Sequence, residues 1–241
     1  MNINRARCIV VITALLFLGI LPVSSNGQSF ELGVGAGLNM SSHVNKFFFT
    51  DGEIDLQFNP KVTVGYQGGV IIRRSFTQSL RLQVEPSIIL LGANYDDSFT
   101  LRGSEFETDS RTELLYIQLP ILLQLSTKPP SKTVFGRNFI ATTYHISGGF
   151  YGGYLPYAKF TGTNTGAPIG IPFEGNFSND VLSQYSEFDG GAILGVGVEH
   201  GNNSKVGFEI RAIYSFIDSG EKPAGFEPQN MALTFSVYYM F

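Results

Sequence analysis

Tryptophan is absent from these 241 residues, and cysteine occurs once, at Cys8. A lone thiol excludes an internal disulfide and any metal site built on several thiolates. Only three histidines are present, His43, His145 and His200, and no two stand at metal-ligand spacing, so no metal and no other cofactor is expected. Positive charge is also short: 16 Lys and Arg face 20 Asp and Glu, which excludes nucleic acid as a partner. Long apolar runs are scarce after the first thirty residues. The most apolar stretch, YIQLPILLQL (Tyr116–Leu125), is broken by Gln118, Pro120 and Gln124. It falls well short of the roughly 20 apolar residues of a spanning helix. If this chain enters a membrane, it does so without helices.

The opening residues have a different character. Arg5 and Arg7 lead into an apolar run from Cys8 to Leu21, followed by small residues around Ser25 and Gly27. That is the plan of a secretory signal peptide, residues 1–27, cleaved after Gly27. Its removal takes away the only thiol and two cations, so residues 28–241 form an exported domain whose formal charge falls from −4 to −6.

What the remainder has in abundance is glycine and period-two alternation, the pattern of half-buried strands. In the last segment Met231, Leu233, Phe235, Val237, Tyr239 and Phe241 share one face, while Ala232, Thr234, Ser236, Tyr238 and Met240 share the other. Seven earlier segments alternate in the same way, beginning near Phe30, Val62, Leu80, Leu115, Tyr144, Asp189 and Val206. Short connections fall near 75–79 and 200–205, a medium one at 127–139, and long polar ones at 41–60, 95–112, 158–187 and 218–229. Eight antiparallel strands with short turns on one rim and long loops on the other describe an outer-membrane barrel. The fold class expected is all-β: one antiparallel up-and-down transmembrane β-barrel of about eight strands.

A secreted sandwich also alternates, so the faces must decide. All seven lysines lie in expected loops or at strand ends. The polar face mixes glycine with Arg, Glu and Gln, which suits a narrow lumen. Phe and Tyr recur near strand ends, as in interfacial girdles. These features place the chain in the bacterial outer membrane, in contact with its lipid.

The polar face carries Glu31, Arg73, Arg81, Glu85, Glu199, Glu209 and Arg211. In so narrow a barrel such charges must pair, either as a structural plug or as the lining of a small, low-conductance pore for solutes or ions. A lipid A-modifying enzyme is the third reading, because YHIS sets His145 and Ser147 on one face. Those two fall at the periplasmic end and point inward, away from an outer-leaflet substrate, so no catalysis is expected. Long loops on a rigid barrel are where binding resides, so these read either as the seat of a protein partner or as a solvated rim whose aromatics pack at the bilayer edge.

Five segments, FELGVGAGLNMS, LRLQVEPSIILLGANY, LLYIQLPILLQL, GFYGGYLPYAKF and FDGGAILGVGVEHGNNSKVGFEIRAIYSF, occur in an order that resembles the PorT-like family of small outer-membrane barrels, common in Bacteroidetes. The resemblance spans the mature chain and implies an OmpA- or OmpX-like barrel without assigned activity. The family's namesake is associated with type IX secretion, which implies an accessory role in a secretion complex. The end of the chain resembles the signal read by the barrel-assembly machinery: Thr234, Ser236 where glycine is usual, Tyr239 and Phe241.

Overall fold

The computed structural model describes residues 30–45, 47–51, 54–101, 104–128, 133–134, 137–138, 140–167, 171–217 and 228–241. The expected signal peptide, residues 1–27, lies outside the described residues, as does most of the expected loop at 218–229. The first part of the chain contributes strands β1 (Phe30–His43), β2 (Phe47–Asp51), β3 (Ile54–Phe58), β4 (Pro60–Lys61), β5 (Thr63–Ser75), β6 (Leu80–Val84) and β7 (Ser87–Leu101). The rest contributes β8 (Ser104–Ser126), β9 (Thr133–Val134), β10 (Arg137–Asn138), β11 (Thr142–Gly166), β12 (Phe173–Asp180), β13 (Phe188–Gly201), β14 (Lys205–Ser215) and β15 (Asn230–Met240). A single turn of 3-10 helix spans Leu182–Gln184.

The antiparallel ladder closes on itself. β1 pairs with β5, β5 with β6 and β7, both of these with β8, then β8 with β11, β11 with β13, β13 with β14, β14 with β15, and β15 with β1. β6 and β7 share one stave, split at Glu85–Pro86, so the ring has eight staves. Glu85 donates its backbone N–H to the Pro120 carbonyl (3.0 Å) and Val70 donates to the Pro86 carbonyl (3.0 Å), so the two prolines sit at a local kink that the ladder spans.

Register fixes the bore. Stepping between partners from Thr63 through Ser41, Ala232, Ile213, Ile193, Gly149, Leu122 and Gln83 returns to the starting stave at Arg73, ten residues along. With a rise of ~3.3 Å and a strand spacing of ~4.8 Å, a stagger of ten over eight staves tilts the strands by about 40° and sets the backbone about 8 Å from the axis. Side chains fill a bore that narrow.

The faces are those of a protein turned inside out. Leu38, Phe150 and Leu194 point outward and are 61%, 67% and 68% exposed, whereas Arg73, Gln124 and Glu209 point inward and are fully buried. An apolar outer surface is stable only against lipid. The outward face of β8 marks where the lipid ends: Leu115, Ile117, Leu119, Ile121, Leu123 and Leu125 give way to Glu113, Arg111, Asp109, Glu107 and Glu105. From Leu115 to Leu125 the tilted strand climbs about 25 Å, the height of an outer-membrane apolar band. Tyr157, Tyr154 and Phe188 ring the upper boundary of this band; Tyr144, Tyr239, Phe241 and Phe30 ring the lower one.

The regions that read from sequence as loops at 95–112 and 158–187 need correction. They are largely strand: β7 runs to Leu101 and β8 begins at Ser104, β11 continues to Gly166, and β12 returns along it. Much of the region that reads as the 41–60 loop is the β2–β3 hairpin. Lys159, expected in a loop, lies within β11 but beyond the apolar band. Hydrophilic composition suggests loops, but cross-strand pairing carries these strands beyond the lipid.

Candidate functional site

Two regions hold chemistry: the lumen and the sheet that extends beyond the membrane. All seven charges singled out in the sequence face inward, and the fold brings them together. Arg73 Nη1 donates to Glu199 Oε1 at 2.5 Å and to Glu31 Oε2 at 3.4 Å, and Arg81 donates to Glu199 Oε2 at 2.8 Å. Arg211 forks onto Glu85, with Nη2 on Oε1 at 2.6 Å and Nη1 on Oε2, and also reaches Glu209 at 2.7 Å. Gln83 joins the two groups, accepting from Arg73 Nε at 2.7 Å and donating to Glu85.

Sequence reasoning misses three further members. Lys205 donates to Glu31 at 2.5 Å, although it stands where the sequence predicts a turn. Gln83 and Tyr238 carry no charge to draw attention. The Tyr238 hydroxyl donates to Glu199 at 2.8 Å, and the Arg73 guanidinium lies 5.7 Å from the Tyr238 ring centroid. The period-two pattern is the available signal, since Gln83 and Tyr238 alternate with lipid-facing residues. Lys205 completes a balance of four carboxylates and four cations, so this layer carries no net charge.

His145 and Ser147 also point inward and are buried. The Ser147 hydroxyl donates to Glu209 Oε1 at 2.6 Å, while His145 Nε2 stands 3.8 Å from Glu209 Oε2. The serine proton is directed to a carboxylate already held by Arg211, and the histidine has no hold on it. A general-base arrangement needs the opposite geometry.

Above the ionic layer the lumen changes character. Ile89, Leu91, Leu114, Leu122, Leu155, Ile193 and Ile213 form a continuous buried cluster, closed at the top by Val181 and Tyr185 from the segment around Leu182–Gln184. Burial there raises the Tyr185 hydroxyl well above its ordinary pKa, which keeps it neutral. Polar groups are buried beside this cluster as well: Asp189 accepts from the Tyr151 hydroxyl at 3.2 Å and from the Asn230 amide at 3.1 Å, so the upper lumen is mixed where the sequence predicts a polar one. Between the layers lies a cavity of about 50 Å³ lined by Gln67, Gln118, Arg211, Thr234, Ser236 and Tyr238 among others. It has room for a few waters.

The closing strand divides the four assembly-signal candidates by face. Thr234 and Ser236 are buried in the lumen, and Gln67 donates to the Ser236 hydroxyl at 2.6 Å. Tyr239 and Phe241 face lipid with ring centroids 5.3 Å apart, and Phe241 N–H donates to the Leu32 carbonyl at 2.8 Å. That bond ties the end of the chain to β1.

Beyond the band, β7, β8, β11 and β12 form one four-stranded sheet. Its rows run Asn94–Arg111–Thr161–Ser178, Asp96–Asp109–Thr163–Asn176 and Ser98–Glu107–Thr165–Glu174, with Glu113, Lys159 and Asp180 in the row nearest the membrane. On this face Asp96, Glu105, Glu107, Asp109, Glu113, Glu174 and Asp180 outnumber Arg111 and Lys159; Lys61 from β4 adds one cation, paired with Asp96. Asp96 stands directly opposite Asp109, an arrangement that weakens a sheet and is tolerable only in water. The opposite face carries two aromatic pairs: Phe160 lies tilted against Phe177 with centroids 5.3 Å apart, and Phe106 meets Phe173 edge-on at 6.4 Å.

Residues 25–221 match the family model described as outer membrane protein beta-barrel domain. No curated protein sequence matches the chain. Among solved structures it is similar to Ail, the attachment invasion locus protein of Yersinia pestis, with 13% identity, a TM-score of 0.34, and coverage of 88% of this chain and 98% of that one. It is also similar to the translocator domain of the autotransporter NalP from Neisseria meningitidis, with 10% identity, a TM-score of 0.21, and coverage of 98% and 96%. Likenesses at that level carry no weight beside the ladder itself.

Proposed function

The chain belongs to the outer membrane protein beta-barrel domain family, and from that premise we propose that it is a non-catalytic surface protein of the outer membrane. In this reading the barrel is an anchor with a filled lumen, and the acid-rich sheet it holds outside the cell is the working part. The observation that carries the reading is the outward face of β8, which passes from six apolar positions to five charged ones without a break in the strand. A rigid strand of that length places the sheet clear of the lipid.

The small-porin reading is weaker on two counts: paired charges occupy the lower lumen, and an aliphatic cluster with hydrogen-bonded polar groups beside it fills the upper. The lipid A-modifying reading has only His145 and Ser147 to rest on, and their hydrogen bonding argues against it. A place in a type IX-like secretion complex rests on the PorT-like resemblance alone. Export through cleavage after Gly27, and recognition of Thr234, Ser236, Tyr239 and Phe241 by the barrel-assembly machinery, complete the proposal.

The test has two arms. A cysteine at Thr163 should react on intact cells with a membrane-impermeant maleimide. One at Gln78, exposed in the turn between β5 and β6 on the opposite rim, should react only after the outer membrane is opened. Reconstituted protein should give no conductance steps in a planar bilayer. The reverse labelling pattern, or a robust pore, refutes the proposal.

A further inference from the structure

Resting on the reading that the sheet lies outside the cell, we infer that the free edge of β12 takes up an extended, basic segment of a partner protein as an added strand. β12 pairs with β11, and among the described residues no strand lies on its other side. All eight of its residues, FEGNFSND, are exposed or half-buried. An open edge presents unpaired backbone N–H and C=O groups, and natural sheets blunt such edges with lysine, proline or a bulge. β12 has neither lysine nor proline, and its pairing with β11 runs through eight consecutive residues without a register shift. Glu174 and Asp180 are the charges along it, so the edge is guarded against acidic strands but open to a basic one, and β-augmentation is the recognition mode it fits.

Charge selects the occupant. The outward side of the edge presents Glu174 and Asp180; on β11 a single cation, Lys159, stands opposite Asp180, and Glu107, Asp109 and Glu113 on β8 make the face beyond it acidic. The inner side presents Phe173 and Phe177. A strand with Lys or Arg on alternate positions and apolar residues between them satisfies both sides at once. A second copy of this chain does not: antiparallel self-pairing centred on Phe177 sets Glu174 against Asp180 twice, a like-charge juxtaposition that specific interfaces avoid.

The probe is an eight-residue peptide of alternating lysine and valine, matched to the length of β12 and titrated against the full chain in lipid nanodiscs. Binding should slow hydrogen exchange at residues 173–180 and should weaken as salt rises. The pair Glu174→Lys and Asp180→Lys should lower affinity about tenfold. Heat-shifted gel mobility checks that the variant remains folded. A peptide that keeps the four lysines and carries proline in place of each valine should not bind, because it cannot complete the ladder.

Equal binding by a glutamate–valine peptide or by the proline peptide overturns the inference, as does protection outside β12. Concentration-dependent dimers protected at β12 would assign the edge to a second copy instead. Failure of the Thr163 cysteine to label on intact cells sinks this inference together with the reading beneath it. Normal labelling without peptide binding sinks the inference alone.

Discussion

Arg211 is the hinge of the lower lumen, and replacing it with methionine tests whether the ion network holds the barrel together. The side chain is buried and divides its guanidinium between Glu85 and Glu209. Methionine fills most of the volume but leaves two carboxylates inside a wall whose backbone lies about 8 Å from the axis. Glu209 keeps the Ser147 hydroxyl and Glu85 keeps the Gln83 amide, neither of which carries charge. Removing one partner from a buried ion pair costs about 3–5 kcal/mol, and here the two carboxylates lose their closest cation together. The expected loss of stability is therefore at least ~3 kcal/mol, measured by urea titration in lipid vesicles with tryptic protection as the readout. Adding Glu85→Gln and Glu209→Gln to Arg211→Met removes the stranded charges, and most of the loss should return. A loss under about 1 kcal/mol for the single variant, or no recovery in the triple, would refute the idea that these charges hold one another.

Three other outcomes are expected. Gly207 lies under the Tyr238 ring, where an added Cβ would collide with the ring carbons; Gly207→Ala should displace the ring, break its bond to Glu199 and cost about 1–3 kcal/mol in the same titration. On the outward face of β8, Ile121→Arg lies in mid-membrane and should cost about 2–4 kcal/mol, while Glu107→Arg on the same face should cost little, and equal effects would move the membrane boundary drawn here. Phe241→Ala removes an interfacial ring and should reduce the heat-shifted, membrane-inserted fraction in a timed assembly assay; unchanged kinetics would deny Phe241 a part in assembly.

Strand faces are legible in the sequence because a barrel wall imposes a strict period of two. Arg73 and Ile72 must point opposite ways whatever else the chain does. The mutual pairing of Arg73 with Glu199 and of Arg211 with Glu85 is not legible, because it depends on the stagger of ten residues, and no segment alone encodes that. The aliphatic cluster of the upper lumen is hidden for a different reason. In SIILLGANY the residues on both faces are aliphatic, so alternation vanishes where Ile89 and Leu91 turn inward. The outer sheet reads as loop through its polarity, although Glu105, Glu107, Asp109, Arg111 and Glu113 alternate with Phe106, Thr108, Ser110, Thr112 and Leu114 as cleanly as any strand in the wall.

The contacts across the lower lumen join distant parts of the chain: Arg73 to Glu199 and Arg211 to Glu85 each span 126 residues. A sheet that has reached the membrane but not yet curled shut carries these charges on a face with no counter-ion opposite. A hairpin inserted alone keeps near pairs such as Glu31–Arg73 and Glu209–Arg211 but leaves the bonds of Arg73 to Glu199 and of Arg211 to Glu85 unmade, and only closing the ring completes them. Half-built intermediates are thereby penalised, and the wall enters as one unit, its final stave deciding whether the others stay.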